Sequence, residues 1–125
     1  MLTVLVIDES RSRAGEICAG LALAGYQVAA ILAGSENLTA EVEKLQPDVI
    51  LIDTDTPSRD TLENLAAMHK NMPRPVVIFT QEGGQATIRD AVRAGVSAYV
   101  VDGLDPRRIK PIVEVARARF EDTQA

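Results

Sequence analysis

Four apolar runs in this chain of 125 residues each end on an oxygen-bearing side chain. Leu2 to Ile7 leads into Asp8 and Glu9, Val49 to Ile52 into Asp53, Val76 to Phe79 into Thr80, and Val96 to Val101 into Asp102. Several carboxylates brought to one place repel one another, and a hard cation relieves that repulsion. Mg2+ suits such a cluster, because it takes oxygen ligands, few of them from protein, and completes its octahedron with water and phosphate oxygens. A carboxylate held beside Mg2+ can attack a phosphoryl group and form an aspartyl phosphate while the metal offsets the developing negative charge. A hydroxyl in the same patch, here Thr80, could donate a hydrogen bond to that phosphoryl group. On its own, each acid could instead cap a loop, so the case rests on whether the fold gathers them.

The elements that must do the gathering are legible. Val49-Ile50-Leu51-Ile52 does not alternate, so both its faces are apolar, and it reads as the central strand of a covered parallel sheet. Asp53 then sits at the carboxyl end of that strand, the edge where open α/β sheets bind ligands. Leu2 to Ile7, Gln27 to Leu32, Val76 to Phe79 and Val96 to Val101 read as four further strands. Between them fall helical patterns. Ile17, Leu21 and Ala24 mark a helix over about 12–24 that stops at Gly25, and Leu38, Val42 and Leu45 mark a second that ends before Pro47. Leu62, Leu65 and Met68 mark a third over 59–71, and Ile88 and Val92 a fourth over 86–94. The last opens with Asp105-Pro106, a cap followed by proline at the first helical position. Pro111 should kink this helix or mark its true start, and the stripe Ile112, Val113, Ala116 and Phe120 should pack on the sheet or continue into a partner. Five strands alternating with five helices predict a doubly wound, five-stranded parallel sheet of strand order 2-1-3-4-5 in one domain, residues 1–125. In that order the ends of strands one, three, four and five converge, bringing Asp8, Glu9, Asp53, Thr80 and Asp102 together.

Composition narrows the function classes. The chain is 46% hydrophobic but only 3% aromatic, which fits an aliphatic α/β core. A net charge of -5 argues against nucleic-acid binding by this segment, which needs basic patches. One cysteine, Cys18, and one histidine, His69, leave no disulfide and no Cys/His metal site; Cys18 falls within a helical apolar pattern and is expected to be buried. No apolar run approaches a membrane span and the start lacks a basic leader, so a cytoplasmic location without membrane contact is expected.

These features together resemble the receiver domain of two-component response regulators, across essentially the whole chain. The resemblance rests on Asp8-Glu9, on Pro47-Asp48-Val49-Ile50-Leu51-Ile52-Asp53 with Pro57 four residues on, on Thr80 closing the fourth strand, and on Ala94-Gly95 followed by Ala98-Tyr99. It implies that Asp53 is the phosphoacceptor, that Asp8, Glu9 and Asp53 hold Mg2+ together with the backbone carbonyl of Asp55, and that Thr80 and Tyr99 form a switch pair. It also implies a sensor histidine kinase or other regulatory protein as partner and a signalling rather than an enzymatic role beyond self-phosphorylation and autodephosphorylation; the stripe on the last helix leaves a homodimer through that helix open. One position departs from the pattern. Receivers usually end the fifth strand in Lys followed by Pro, where the chain has Asp102-Gly103, and a carboxylate cannot pair with phosphoryl oxygens. Arg11, Arg13 and Arg59 are the candidates to supply the missing cation. The stretch Tyr99 to Leu104 and the proline-bearing last helix look most like receiver-like domains of nitrate-assimilation-type antitermination regulators, which bind RNA through a C-terminal helical domain that is absent from these residues.

Three alternatives compete. The fold could persist as a protein-interaction module that no longer takes phosphate. Asp53-Thr54-Asp55-Thr56 also comes close to the motif of haloacid-dehalogenase-type phosphohydrolases, but that motif follows the first strand, and Pro57 stands where Thr or Val belongs. A flavodoxin-like cofactor binder would need a glycine-rich phosphate loop after the first strand, which the chain lacks.

Overall fold

The computed structural model describes residues 1–8, 11–34, 37–101 and 105–124. Strands β1 (Thr3–Asp8), β2 (Gln27–Leu32), β3 (Val49–Asp53), β4 (Val76–Thr80) and β5 (Ala98–Val101) form one sheet, all neighbours parallel, in the order β2-β1-β3-β4-β5. Helices α1 (Arg11–Leu23), α2 (Leu38–Leu45), α3 (Arg59–Asn71), α4 (Gln85–Arg93) and α5 (Ile109–Gln124) alternate with them, and a 3-10 turn at Pro106–Arg108 precedes α5. The predicted fold and strand order are the observed ones.

The sheet is covered on both sides, which is why its central strands do not alternate. Leu5, Ile7, Ile50, Ile52 and Ile78 pack against Leu38, Val42, Leu65, Met68 and Ala91 of α2, α3 and α4. Val4, Val6, Val49, Leu51, Val77 and Phe79 point the other way, onto Ile17 and Leu21 of α1 and Ile109, Val113 and Ala116 of α5. Val113 and Ala116 of the α5 stripe, with half-buried Ile112, therefore pack on their own sheet, whereas Phe120 at its far end meets the ring of His69 on α3. Cys18 lies beside this stripe of α1 and is half-buried rather than buried, because Ile17 and Leu21 take the sheet-facing positions.

Helix boundaries follow local chemistry. Asn37 caps α2 by accepting from the Ala40 amide at 3.1 Å, and Ser58 caps α3 by accepting from the Thr61 amide at 3.0 Å. Pro111 stands near the start of α5, which begins at Ile109, so proline's missing N–H falls in the first turn, where it costs least. β5 starts two residues later than predicted. The Val96 amide bonds back to the Ala91 carbonyl and closes α4, so Val96 belongs to the helix exit rather than to the strand. Gly95 makes that exit at φ +99°, flat against the ring of His69: a methyl there would lie 2.5 Å from the imidazole. At the opposite corner Gly20 lets α1 meet the 3-10 turn, where a methyl would come within 2.5 Å of Ile109 Cδ1. Among the described residues no helix is long and apolar enough to cross a membrane.

The entry to β2 is tied to α5 by the Tyr26 hydroxyl, which donates to Glu114 Oε1 at 3.0 Å, while Arg117 pairs with the same carboxylate at 3.1 Å. Burial first, then the hydrogen bond to Glu114 and its charge, push the Tyr26 phenol up to about 12; Arg117 opposes them. The folded state thus holds this proton more tightly than the unfolded chain, whose tyrosines titrate near 10. The contribution is complete below pH 10 and is lost as pH rises through 12. Denaturant midpoints taken between pH 9 and 12 should fall less steeply in Tyr26→Phe than in the parent, and parallel curves would refute this assignment.

Candidate functional site: an acidic pocket at the carboxyl edge

Asp8 and Asp53 are the last residues of β1 and of the central strand β3, and they are register partners across the ladder. Each is only 3% exposed. Two carboxylates are thus held side by side, one strand spacing apart, in a nearly closed site. The hydrogen-bonding continues past the strand end: the Thr54 amide donates to the Phe79 carbonyl at 3.1 Å, and the Thr54 hydroxyl to the Thr56 carbonyl at 3.2 Å. This turn presents the Asp55 carbonyl toward the end of β4.

Thr80 closes β4 and is 2% exposed. Its hydroxyl donates to the Asp55 carbonyl at 2.8 Å, and the Gln81 amide reaches the same oxygen at 3.3 Å. In turn the Thr80 oxygen accepts from the Glu82 amide at 3.1 Å. Tyr99, on β5, donates its phenol to the Glu82 carbonyl at 2.6 Å, and the Glu82 carboxylate accepts from the Gly84 amide at 2.8 Å at the start of α4. Burial, followed by the nearby Glu82 charge, raises the Tyr99 phenol above its ordinary value, against the Thr80 hydroxyl, so the phenol remains a donor at neutral pH. Asp55, Thr80, Glu82 and Tyr99 therefore form one continuous chain of hydrogen bonds.

The predicted residues divide into three groups. Asp8 and Asp53 lie side by side, and Thr80 meets the Asp55 carbonyl at the same edge of the sheet, with Tyr99 joined to Thr80 through Glu82. Glu9 and Asp102 lie outside the described residues. Of the arginines considered as a replacement cation, Arg59 pairs with Glu63 on its own helix at 3.0 Å with its side chain 91% exposed, and Arg11 and Arg13 fall in the first turn of α1. Glu82 was not foreseen. It follows Thr80 in a loop that reads only as polar and glycine-bearing, and its part is played mainly by backbone groups.

Among the described residues no group of three or more His, Cys, Asp or Glu is placed to hold a metal ion. Two buried carboxylates side by side are hard oxygen donors, which would suit Mg2+ rather than a transition metal.

The family model for the response regulator receiver domain matches residues 4–114, from β1 into α5. The chain belongs to this family. The receiver is 27% identical over 122 residues to the DNA-binding response regulator MtrA of Mycolicibacterium smegmatis, covering 98% of this chain and 53% of that protein. It is 33% identical over 124 residues to protein-glutamate methylesterase/protein-glutamine glutaminase 2 of Photobacterium profundum, covering 94% of this chain and 29% of that enzyme. The receiver thus spans about half the length of one relative and under a third of the other. Among solved structures it superposes on a CheY-like receiver domain protein from Methanospirillum hungatei with a TM-score of 0.82 at 20% identity, covering 98% of both chains. It matches the signal receiver domain of a modulated diguanylate cyclase from Desulfovibrio desulfuricans equally well, with a TM-score of 0.82 at 21% identity, covering 98% and 99%. These two share the fold. Receivers of two-component systems typically bind Mg2+ at their phosphorylation site and interact with sensor histidine kinases and other regulators.

Proposed function

We propose that this receiver takes a phosphoryl group on Asp53 and that its acidic pocket binds Mg2+ to do so. The observation that carries the reading is the side-by-side, buried placement of Asp8 and Asp53 at the ends of β1 and β3. A carboxylate oxygen of Asp53 attacks phosphorus, the bond from phosphorus to the donor breaks, and its electron pair leaves with the donor, an imidazole if the donor is a kinase phosphohistidine. Asp8 and Asp53, with the Asp55 carbonyl and Glu9, would hold the metal, which when bound offsets charge on the phosphoryl oxygens. Thr80 supplies a hydroxyl within the site, and Tyr99 reads that hydroxyl's position through Glu82. Asp102, in place of the usual Lys, removes one cationic contact, so uptake would depend more heavily on the metal.

The outputs of the relatives differ, one being a DNA-binding regulator and the other a methylesterase. Control of an attached output domain is part of the proposal. The more specific expectation, transcription antitermination through RNA binding, finds no support among these relatives and rests only on residues 99–104 and the proline-bearing last helix. Dimerisation through α5 is favoured by a shallow, apolar cleft of about 250 Å3 lined by Ala98, Val100, Pro111, Ile112 and Val115.

Intact-protein mass after incubation with Mg2+ and acetyl phosphate tests the chemistry. The parent should gain one phosphoryl group that is lost in mild base, and Asp53→Asn should gain none. A folded parent that gains nothing would favour the second reading, an interaction module without phosphoryl transfer, which Asp102 in place of Lys supports.

A further inference from the structure

We infer that the cavity between α3, the exit of α4 and α5 binds a planar aromatic carboxylate of one or two rings. It lies at the edge of the sheet opposite the acidic pocket, and the inference does not depend on that pocket's chemistry. The helices run antiparallel to the strands, so their last turns return to the strands' amino ends. His69 stands in the last turn of α3, Gly95 follows α4, Ser97 precedes β5 and Phe120 is in the second half of α5. Together with Val96 and Arg119 they line a cavity of about 450 Å3, a volume in the usual range for small-molecule sites.

The walls suit a flat, apolar body. The rings of His69 and Phe120 meet edge to face, with centroids 6.5 Å apart and planes at 80°. Gly95 adds no side chain to fill the space, and no larger residue fits, since a methyl there would lie 2.5 Å from the imidazole. His69 Nδ1 is sealed from solvent and makes no hydrogen bond among the described residues. The ring is therefore seated by packing, and it can tilt against an incoming ring without breaking a hydrogen bond at that nitrogen. The polar groups suit an anion. Arg119 forms no ion pair among the described residues, whereas Arg59, Arg107 and Arg117 each have a carboxylate. Ser97 Oγ accepts from the Val76 amide at 3.4 Å, and its own hydrogen has no acceptor among the described residues. None of the described residues lining the cavity is acidic, on a chain of net charge -5. A guanidinium and a hydroxyl hydrogen beside two rings match a carboxylate carried on an aromatic ring.

The test is a titration with indole-3-acetate and with its neutral analogue indole-3-acetamide, followed by backbone amide NMR signals of the parent, Arg119→Gln and Phe120→Leu. In the parent the acid should move the Gly95, Val96 and Ser97 signals on one saturating curve, with an affinity of about 1 mM or tighter. The amide should bind roughly two- to fivefold more weakly, as befits the loss of an ion pair at an open rim. Arg119→Gln should weaken the acid by the same factor and leave the amide unchanged, so that the preference for the anion disappears. Phe120→Leu keeps the apolar bulk but removes the ring, and should weaken both ligands alike by about two- to fivefold. A parent that binds acid and amide equally, or a preference for the acid that survives Arg119→Gln, would overturn the anion site. A folded parent in which none of the three signals moves at roughly 10 mM ligand would overturn the cavity as a binding site altogether.

Discussion

Truncating Phe79 to alanine should lower the unfolding free energy by about 3–5 kcal/mol, a large share of the roughly 5–15 kcal/mol that holds a domain of this size together. Phe79 is fully buried, the largest side chain in the layer between the sheet and helices α1 and α5. Its neighbours across the ladder are Asp53 and Val100, and its carbonyl accepts the Thr54 amide just past the phosphoacceptor candidate. The strand backbone cannot collapse inward to fill the space, because it is hydrogen-bonded on both sides, so the cavity term persists. Urea unfolding would measure the loss. A cost below about 1 kcal/mol would mean that the α5 layer repacks freely and that the core is less specific than its burial implies.

Replacing Asp53 by asparagine should do the reverse in the absence of divalent cations and stabilise the fold. Asp53 and Asp8 stand on adjacent strands in register, about 5 Å apart by strand spacing. Two unit charges at that distance repel by roughly 3 kcal/mol at an effective dielectric constant near 20. Relaxation of the two side chains away from one another reduces this, so a gain of about 1–3 kcal/mol is expected, or roughly 4–12 °C in the unfolding temperature. Added Mg2+ should then raise the parent's unfolding temperature by mass action and leave the variant's nearly unchanged. A variant that melts below the parent without cations, yet gains as much from Mg2+, would show that Asp53 is held as a structural acceptor rather than as half of a cation site. Read together with the phosphoryl-uptake experiment, these melts separate loss of the nucleophile from loss of the fold.

Most of the architecture was legible because it depends on period and punctuation. Unbroken aliphatic runs at Val49–Ile52 and Val76–Phe79 can be satisfied only by a sheet covered on both faces, and α3 matches its predicted span of 59–71 because Ser58 caps it and Pro73 follows it. The shorter β5 was less legible. Val96 is as apolar as a strand residue, and only the helix-exit hydrogen bond to Ala91 assigns it elsewhere. Cys18 shows the same limit, since its helical spacing could not tell the centre of a buried stripe from its margin. At the site, the identities of Asp8, Asp53 and Thr80 could be read from strand ends. Their pairing could not, because register is decided by the whole sheet. Where Thr80 points was hidden for another reason: its partners are the Asp55 carbonyl and the Glu82 amide, groups every residue carries.

The close meeting of α1 with the 3-10 turn at Gly20, and of α1 with α5 beyond it, bears on how this domain emerges from the ribosome. One face of the sheet can be covered as soon as α2, α3 and α4 have been made, since its partners lie between the strands in sequence. The other face needs Ile109, Val113 and Ala116 beside Ile17 and Leu21. Until the last helix has cleared the exit tunnel, Val4, Val6, Leu51 and Phe79 have only α1 to shield them. A nascent chain stalled before Ile109 therefore presents a half-covered sheet, the kind of apolar surface that holdase chaperones bind. Completion of the acidic edge, which hangs from the ends of those same strands, therefore waits on α5.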